Sequence, residues 1–226
     1  MGDAIGQMLP SAVGIAISPL PLIAVILMLA TPKGRVNGIA FAAGWTLSLA
    51  TATALLVLLG SGADAAGADG TPATWTGWVK LVLGALFVLL AVKQFTGRPR
   101  EDHVAAPPGW MKALDRFTPA KSAGLAAALA VANPKNLVLV VGGALAIAGS
   151  TAGTGGKSIA AVLLVVVASL CTTVPLAVYL LGGERSAKTL DSWKAWMSAH
   201  NAAIMTTVLG LLGAKYIGDA ISTLVT

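Results

Sequence analysis

Charge is scarce in this sequence. Its 226 residues include only 9 acidic and 15 basic side chains, 11% together, where a soluble domain carries about 25%. So few charges would leave a water-soluble surface uncovered, which excludes a soluble enzyme and a disordered chain. Cysteine is nearly absent too: Cys171 stands alone inside an apolar run, so no intramolecular disulfide is expected. The two histidines, His103 and His200, have no partner at metal-ligand spacing, and no metal or cofactor is expected. No Lys or Arg precedes Lys33, so the charged start of a signal peptide is missing. Gly6 occupies the position where myristoylation favours Ser or Thr.

What is present is apolar. Hydrophobic residues make up 56% of the chain, with a mean hydropathy of +0.83. They fall in runs longer than the roughly 18 residues a helix needs to cross a bilayer. Six spans fit, at about 5–30, 36–59, 76–95, 123–148, 158–181 and 202–225. No soluble domain remains, so residues 1–226 read as a single membrane domain. The net charge of +6 does not point to nucleic acid, because the basic residues sit in loops.

Those loops set the expected orientation. Loops one, three and five hold Lys33, Arg35, Lys93, Arg98, Arg100, Lys112, Arg116, Lys121, Arg185, Lys188 and Lys194, whereas loop two carries Asp64 and Asp69. By the positive-inside rule the basic loops are cytoplasmic and both termini extracytoplasmic, in the plasma membrane. Trp75 and Trp78 then mark the outer interface, and Trp110, Trp193 and Trp196 the inner one. Two amphipathic segments, Trp110-Met111-Leu114-Phe117 and Leu190-Trp193-Met197, read as helices lying in the headgroup layer, where they brace the bundle or, alternatively, recruit anionic lipid or a partner.

The halves resemble each other. Ser18-Pro19-Leu20-Pro21 in the first span parallels Asn133-Pro134-Lys135-Asn136 in the fourth. Ser48-Leu49-Ala50-Thr51 parallels Ser169-Leu170-Cys171-Thr172, and Val82-Leu83-Gly84 parallels Val208-Leu209-Gly210. Three spans per repeat is an odd number, so the halves must insert with opposite orientations, as in secondary transporters. Proline removes a backbone donor and clashes with the carbonyl four residues back, opening the helix. Open backbone inside a bilayer survives only where protein or a water-filled cavity satisfies it. The expected fold is an all-α polytopic membrane protein of six transmembrane helices in two inverted three-helix repeats. Helices one and four are broken. Repeat one covers about 1–96, a connector 97–120, and repeat two 121–226.

The Asn133-Pro134-Lys135 and Ser18-Pro19-Leu20-Pro21 motifs, with the duplicated layout, resemble the lysine exporter superfamily of small transporters. Within it the chain is most similar to the actinobacterial GAP branch, which includes the sulfolipid-addressing protein. The resemblance implies movement of glycolipid to the cell surface. Other branches export amino acids or metal ions. One passes electrons through paired cysteines in the first and fourth spans, which this sequence lacks.

Lys135 is the residue singled out. A lysine near a helix centre costs about 2.5–3.5 kcal/mol on insertion scales, so it should face the bundle interior. No acidic residue occupies the interior of any span; Asp219 lies near the end of the sixth, four positions after Lys215, and should pair with it. Lys135 beside the positive N-terminal end of a half-helix favours an anion. The expected substrate lining is Ser18, Pro19, Pro21, Ser48, Thr51, Asn133, Pro134, Lys135, Asn136, Ser169, Thr172 and Thr173. For any single hydroxyl, the alternative is a helix-helix or backbone hydrogen bond.

Gly153-Thr154-Gly155-Gly156-Lys157-Ser158 imitates the end of a P-loop, but Thr151 stands where the first glycine belongs and a membrane helix precedes it. No nucleotide site is expected. The leading reading is therefore a transporter of an anionic amphipathic substrate, a glycolipid or lipid intermediate. Alternatives are an exporter of amino acids or other small solutes and a non-transporting scaffold for a larger lipid exporter. Membrane lipids are the expected contacts, with a homodimer through small-residue faces such as Gly210 to Ala214 another reading. With no nucleophile-base-acid constellation at membrane depth, an enzyme is not expected.

Overall fold

The computed structural model describes residues 1–62, 74–97 and 116–225. Asp64, Asp69, Arg98, Arg100, His103 and the amphipathic segment from Trp110 to Leu114 lie outside the described residues, as does the Trp75 side chain. All described elements are helical. α1 (Gly2–Ala16) and α2 (Pro19–Leu29) form a pair bent by 45°. α3 (Gly34–Gly62) and α4 (Thr74–Thr96) follow. α5 (Pro119–Ala127) runs through one π-helical turn (Ala128–Ala132) and meets α6 (Pro134–Ala148) at a bend of 65°. α7 (Thr154–Leu181), a short 3-10 turn and α8 (Ser186–Val225) complete the chain.

α3, α4, α7 and α8 are each long and apolar enough to cross a membrane, and the two bent pairs raise the number of candidate spans to six. The fold is that of a multi-pass membrane protein. α4 lies along α8, α1 packs on α6 and α7, and α3 packs on α5, α6 and α7. The larger core cluster includes Phe41, Trp45, Phe87 and Tyr216. A smaller one, with Met8, Ile147 and Leu164, joins the start of α1 to the end of α6 and the start of α7. Both chain termini share one end of the bundle, here the terminal end. Met1 sits beside Gly156, Gly77 packs on Leu224, and Asp3, Lys80 and Asp219 line one cavity. At the opposite, basic end, Asn37 Nδ2 donates to the Phe117 carbonyl at 3.0 Å, tying the start of α3 to the lead-in of α5.

The last helix corrects the sequence reading. A separate interfacial helix at Leu190-Trp193-Met197, followed by a span from 202, is replaced by one helix of 40 residues. No glycine or proline stands between Ser186 and Leu209 to interrupt it. Its buried stripe runs through Leu190, Met197, Met205, Leu209, Leu212, Tyr216 and Ala220, one helical face throughout. Leu190 belongs to the main core, and Trp193 packs against it. This segment therefore braces the bundle.

The small residues of α8 divide by function. Gly213 faces Gly84 of α4, and a Cβ on Gly84 would stand 2.9 Å from the Ile217 amide nitrogen and 3.2 Å from the Gly213 carbonyl. The two backbones touch there, as small residues allow in membrane bundles. A Cβ on Gly210 would meet nothing within 4 Å.

Candidate functional site

The two helix breaks meet. Ser18 and Asn133 precede Pro19 and Pro134, and each is held at nearly the same extended geometry, φ −70° and ψ 116° for Ser18, φ −73° and ψ 116° for Asn133. A residue before proline is pushed out of the helical region by the ring's Cδ, so the sequence alone imposes both corners. Ser18 Oγ donates to Asn136 Oδ1 at 3.3 Å, and Asn136 Nδ2 donates to the Leu129 carbonyl at 2.9 Å. The π-helical turn shifts Asn133 N–H to the Ala128 carbonyl at 3.2 Å and leaves Leu129 C=O for the Asn136 amide. Asn133 Oδ1 caps α6 by accepting from Lys135 N at 3.2 Å. The N-termini of α2 and α6 thus both face one buried junction, in which Ser18 and Asn136 are 0% exposed. Neither the cavity at the terminal end nor the groove between α1 and α8 has Ser18 or Asn136 in its lining.

The other expected site residues spread around this point. Lys135 is half-buried, and its Nζ donates to Met205 Sδ of α8, a weak acceptor. Neither ion pair among the described residues involves it. Pro19 and Pro21 are buried in α2, while Pro134 lies on an exposed face. Ser169 accepts from Thr46 Oγ1 at 3.1 Å, and Thr172 and Thr173 hydroxyls donate to the Ser169 carbonyl at 3.0 Å. These are helix-packing and backbone bonds. Ser48 is half-buried and Thr51 exposed; the α3 hydroxyl that meets α7 comes from Thr46. Lys157 Nζ donates to the Ala148 carbonyl at 2.6 Å, so the P-loop look-alike places its lysine on the C-terminal end of α6, where a cation is favoured.

The open space lies toward the terminal end. A cavity of about 430 Å³ is lined by Lys80 of α4, by Lys215, Tyr216 and Asp219 of α8, and by Asp3 and Gln7 of α1. Tyr216 is part of its wall: its ring lies against Gly142 and 5.4 Å from the Phe87 ring, and its hydroxyl is 3.4 Å from Ser11 Oγ. Lys215 Nζ binds Asp219 Oδ2 at 2.6 Å, and Lys80 Nζ donates to Thr223 Oγ1 at 3.2 Å. A second, apolar groove of about 560 Å³ runs between α1 and α8, past Leu9, Val13, Ile17, Val208 and Leu211, and it too is lined by Lys215. The sequence pointed to the Lys215–Asp219 pair but did not single out Lys80. The available signal was that Asp3, Lys80, Lys215 and Asp219 all fall within about three turns of span ends on the same side.

A family model described as Sap, sulfolipid-1-addressing protein, matches residues 8–222. The chain belongs to this family. Comparison with curated proteins and with solved structures finds no match. The SfLAP match takes in both helix breaks, Lys80, Lys135 and Lys215 and leaves Asp3 and Gln7 outside it. Among the described residues no group of three or more His, Cys, Asp or Glu could hold a metal ion. What the SfLAP fold offers chemically is therefore positive ends: two half-helix N-termini at the junction, Lys135 beside them, and lysines at the terminal end.

Proposed function

We propose that this SfLAP-family chain is a transporter that moves an anionic amphipathic lipid, of the glycolipid class, by alternating access between two inverted three-helix repeats. One observation carries the reading: the two proline breaks share one backbone geometry and are bonded to each other through Ser18 and Asn136. Broken helices meeting at mid-bundle are where secondary transporters place substrate and movement. The family name speaks of a sulfolipid, an anionic amphiphile, and the duplicated motifs resemble those of the lysine exporter superfamily. Both N-terminal half-helix ends and Lys135 favour an anion over a cation.

In this conformation the junction is closed. Movement begins when Ser18 and Asn136 part and Lys135 exchanges the thioether of Met205 for a substrate sulfate, phosphate or carboxylate. The protein acts without a cofactor and without enzymatic turnover. The basic end faces the cytoplasm, so the chambered terminal end opens outward from the plasma membrane. A second reading, a non-transporting scaffold for a larger lipid exporter, draws on the filled junction.

Both answer to one assay. Purified protein in phosphatidylcholine liposomes carrying headgroup-labelled phosphatidylglycerol should raise the rate at which label crosses the bilayer, and Lys135→Gln should cut that rate about tenfold, the loss of one charge-assisted bond. A wild-type rate equal to protein-free liposomes would leave the scaffold reading in place.

A further inference from the structure

The mid-bundle junction is packed, so a lipid in this conformation must sit elsewhere. The chamber at the terminal end and the α1–α8 groove both offer space, and Lys215 lines both. Lys215 puts them side by side, the chamber carrying charged groups and the groove apolar apart from that lysine. We propose that the two together form a binding site for a single anionic lipid, with the headgroup in the chamber against Lys80 and one acyl chain in the groove. The inference rests on the transport reading above and names where that substrate is held.

Among the described residues the head end holds one lysine outside any ion pair. Lys215 is already matched by Asp219 at 2.6 Å. Asp3 accepts from Gln7 at 2.6 Å and stands exposed at the rim, where water screens it. Lys80 is half-buried, its polar partner is the neutral Thr223 hydroxyl, and it takes part in neither ion pair among the described residues. An anionic headgroup would give Lys80 a counter-ion where the described residues supply only the Thr223 hydroxyl. A purely cationic group would gain only Asp3 at the rim.

The tail end is built by small residues. Gly6, Pro10 and Gly14 recur every four positions on the face of α1 that lines the groove; a Cβ on Gly6 would meet nothing within 4 Å, whereas one on Gly14 would stand 3.2 Å from Val208 Cγ1, so the groove is open at Gly6 and α8 closes on α1 at Gly14. Leu9, Val13 and Leu211 wall the trough and are themselves exposed to lipid, Leu211 by 69%. From Gly6 to Ile17 the helix rises about 16 Å, close to half of the roughly 30 Å hydrocarbon core. The groove therefore suits one chain in one leaflet, the leaflet of the terminal end. Its deep end, at Ile17 and Val208, lies one helical turn from Met205, the residue against which Lys135 rests. A lipid leaving the junction would thus enter the groove directly, exchanging Lys135 for Lys80 as it goes.

Native mass spectrometry of the delipidated full chain, titrated with phosphatidylglycerol and with phosphatidylcholine of the same acyl chains, tests this. Wild type should retain one phosphatidylglycerol at concentrations where phosphatidylcholine is not retained. Lys80→Gln should weaken phosphatidylglycerol about tenfold while leaving phosphatidylcholine unchanged. Leu211→Trp, on an exposed wall where folding is not at risk, should weaken both lipids by filling the groove. Sodium sulfate should not displace the lipid, because it leaves the groove empty. Equal retention of the two lipids, wild-type retention by both variants, or displacement by sulfate would each overturn the site. The liposome assay separates the two readings. If lipid crosses but neither variant alters retention, transport stands and this site falls; if the variants weaken retention and no lipid crosses, the site stands and transport falls.

Discussion

Ser18 and Asn136 show how much one polar contact can signify in a bundle of apolar residues. The pair is fully buried, and Asn136 also satisfies the Leu129 carbonyl freed by the π-helical turn. Ser18→Ala should remove one buried bond, costing about 1 kcal/mol and lowering the melting temperature in detergent by a few degrees. Asn136→Leu should cost more, because it strands the Leu129 carbonyl away from water. If both variants melt like wild type, the contact is not holding the junction. Lys215 and Asp219 make the contrast, being 30% and 40% exposed at the side chain. Lys215→Met should change the melting temperature little, since half-exposed pairs contribute only about 0–1 kcal/mol. The corner residues Ser18 and Asn133 were legible from the prolines that follow them. Asn136 was named among the expected lining, but its bonds to Ser18 and the Leu129 carbonyl were not legible, because nothing local says that a side chain in α6 reaches back across a break to a carbonyl seven residues earlier.

Helices are where the sequence reading was closest and where it erred most visibly. The breaks after Ile17 and Ala132 follow from proline sterics, and both fall where the motifs place them. α8 did not stop where hydropathy did. Its first four turns carry enough polar residues to read as a surface helix, yet the buried stripe continues through Leu190 and Met197. Hydropathy averages over a helix's circumference, while packing acts on one face. The α4–α8 seam gives a test at this scale. Gly84→Leu should destabilise by about 1–3 kcal/mol through overpacking, since its Cβ would press on the Ile217 and Gly213 backbone. Gly210→Leu should be tolerated, with open space beside it. Thermal unfolding of the two variants in one detergent makes the comparison; equal losses would mean that the seam tolerates separation.

For the whole molecule, alternating access demands that the junction move. In a Cys171→Ser background, Ser18→Cys with Asn136→Cys can be bridged by a short methanethiosulfonate crosslinker. Bridging should arrest lipid movement in liposomes and reductant should restore it; undiminished movement in the bridged protein would show that the breaks are not the moving part. Helices long and apolar enough to cross a membrane and the two breaks are written in the sequence, because hydropathy over about 20 residues and proline sterics over four act locally. Which polar groups meet was decided by the tertiary structure alone. Lys135 attracted attention as a lone buried charge, yet it rests on a methionine 70 positions away, and the open space gathers instead around Lys80 and Lys215. A cavity is what remains where helices fail to fill the space between them, and that depends on small residues such as Gly6, Pro10 and Gly14 facing a particular neighbour. No window of sequence contains that neighbour.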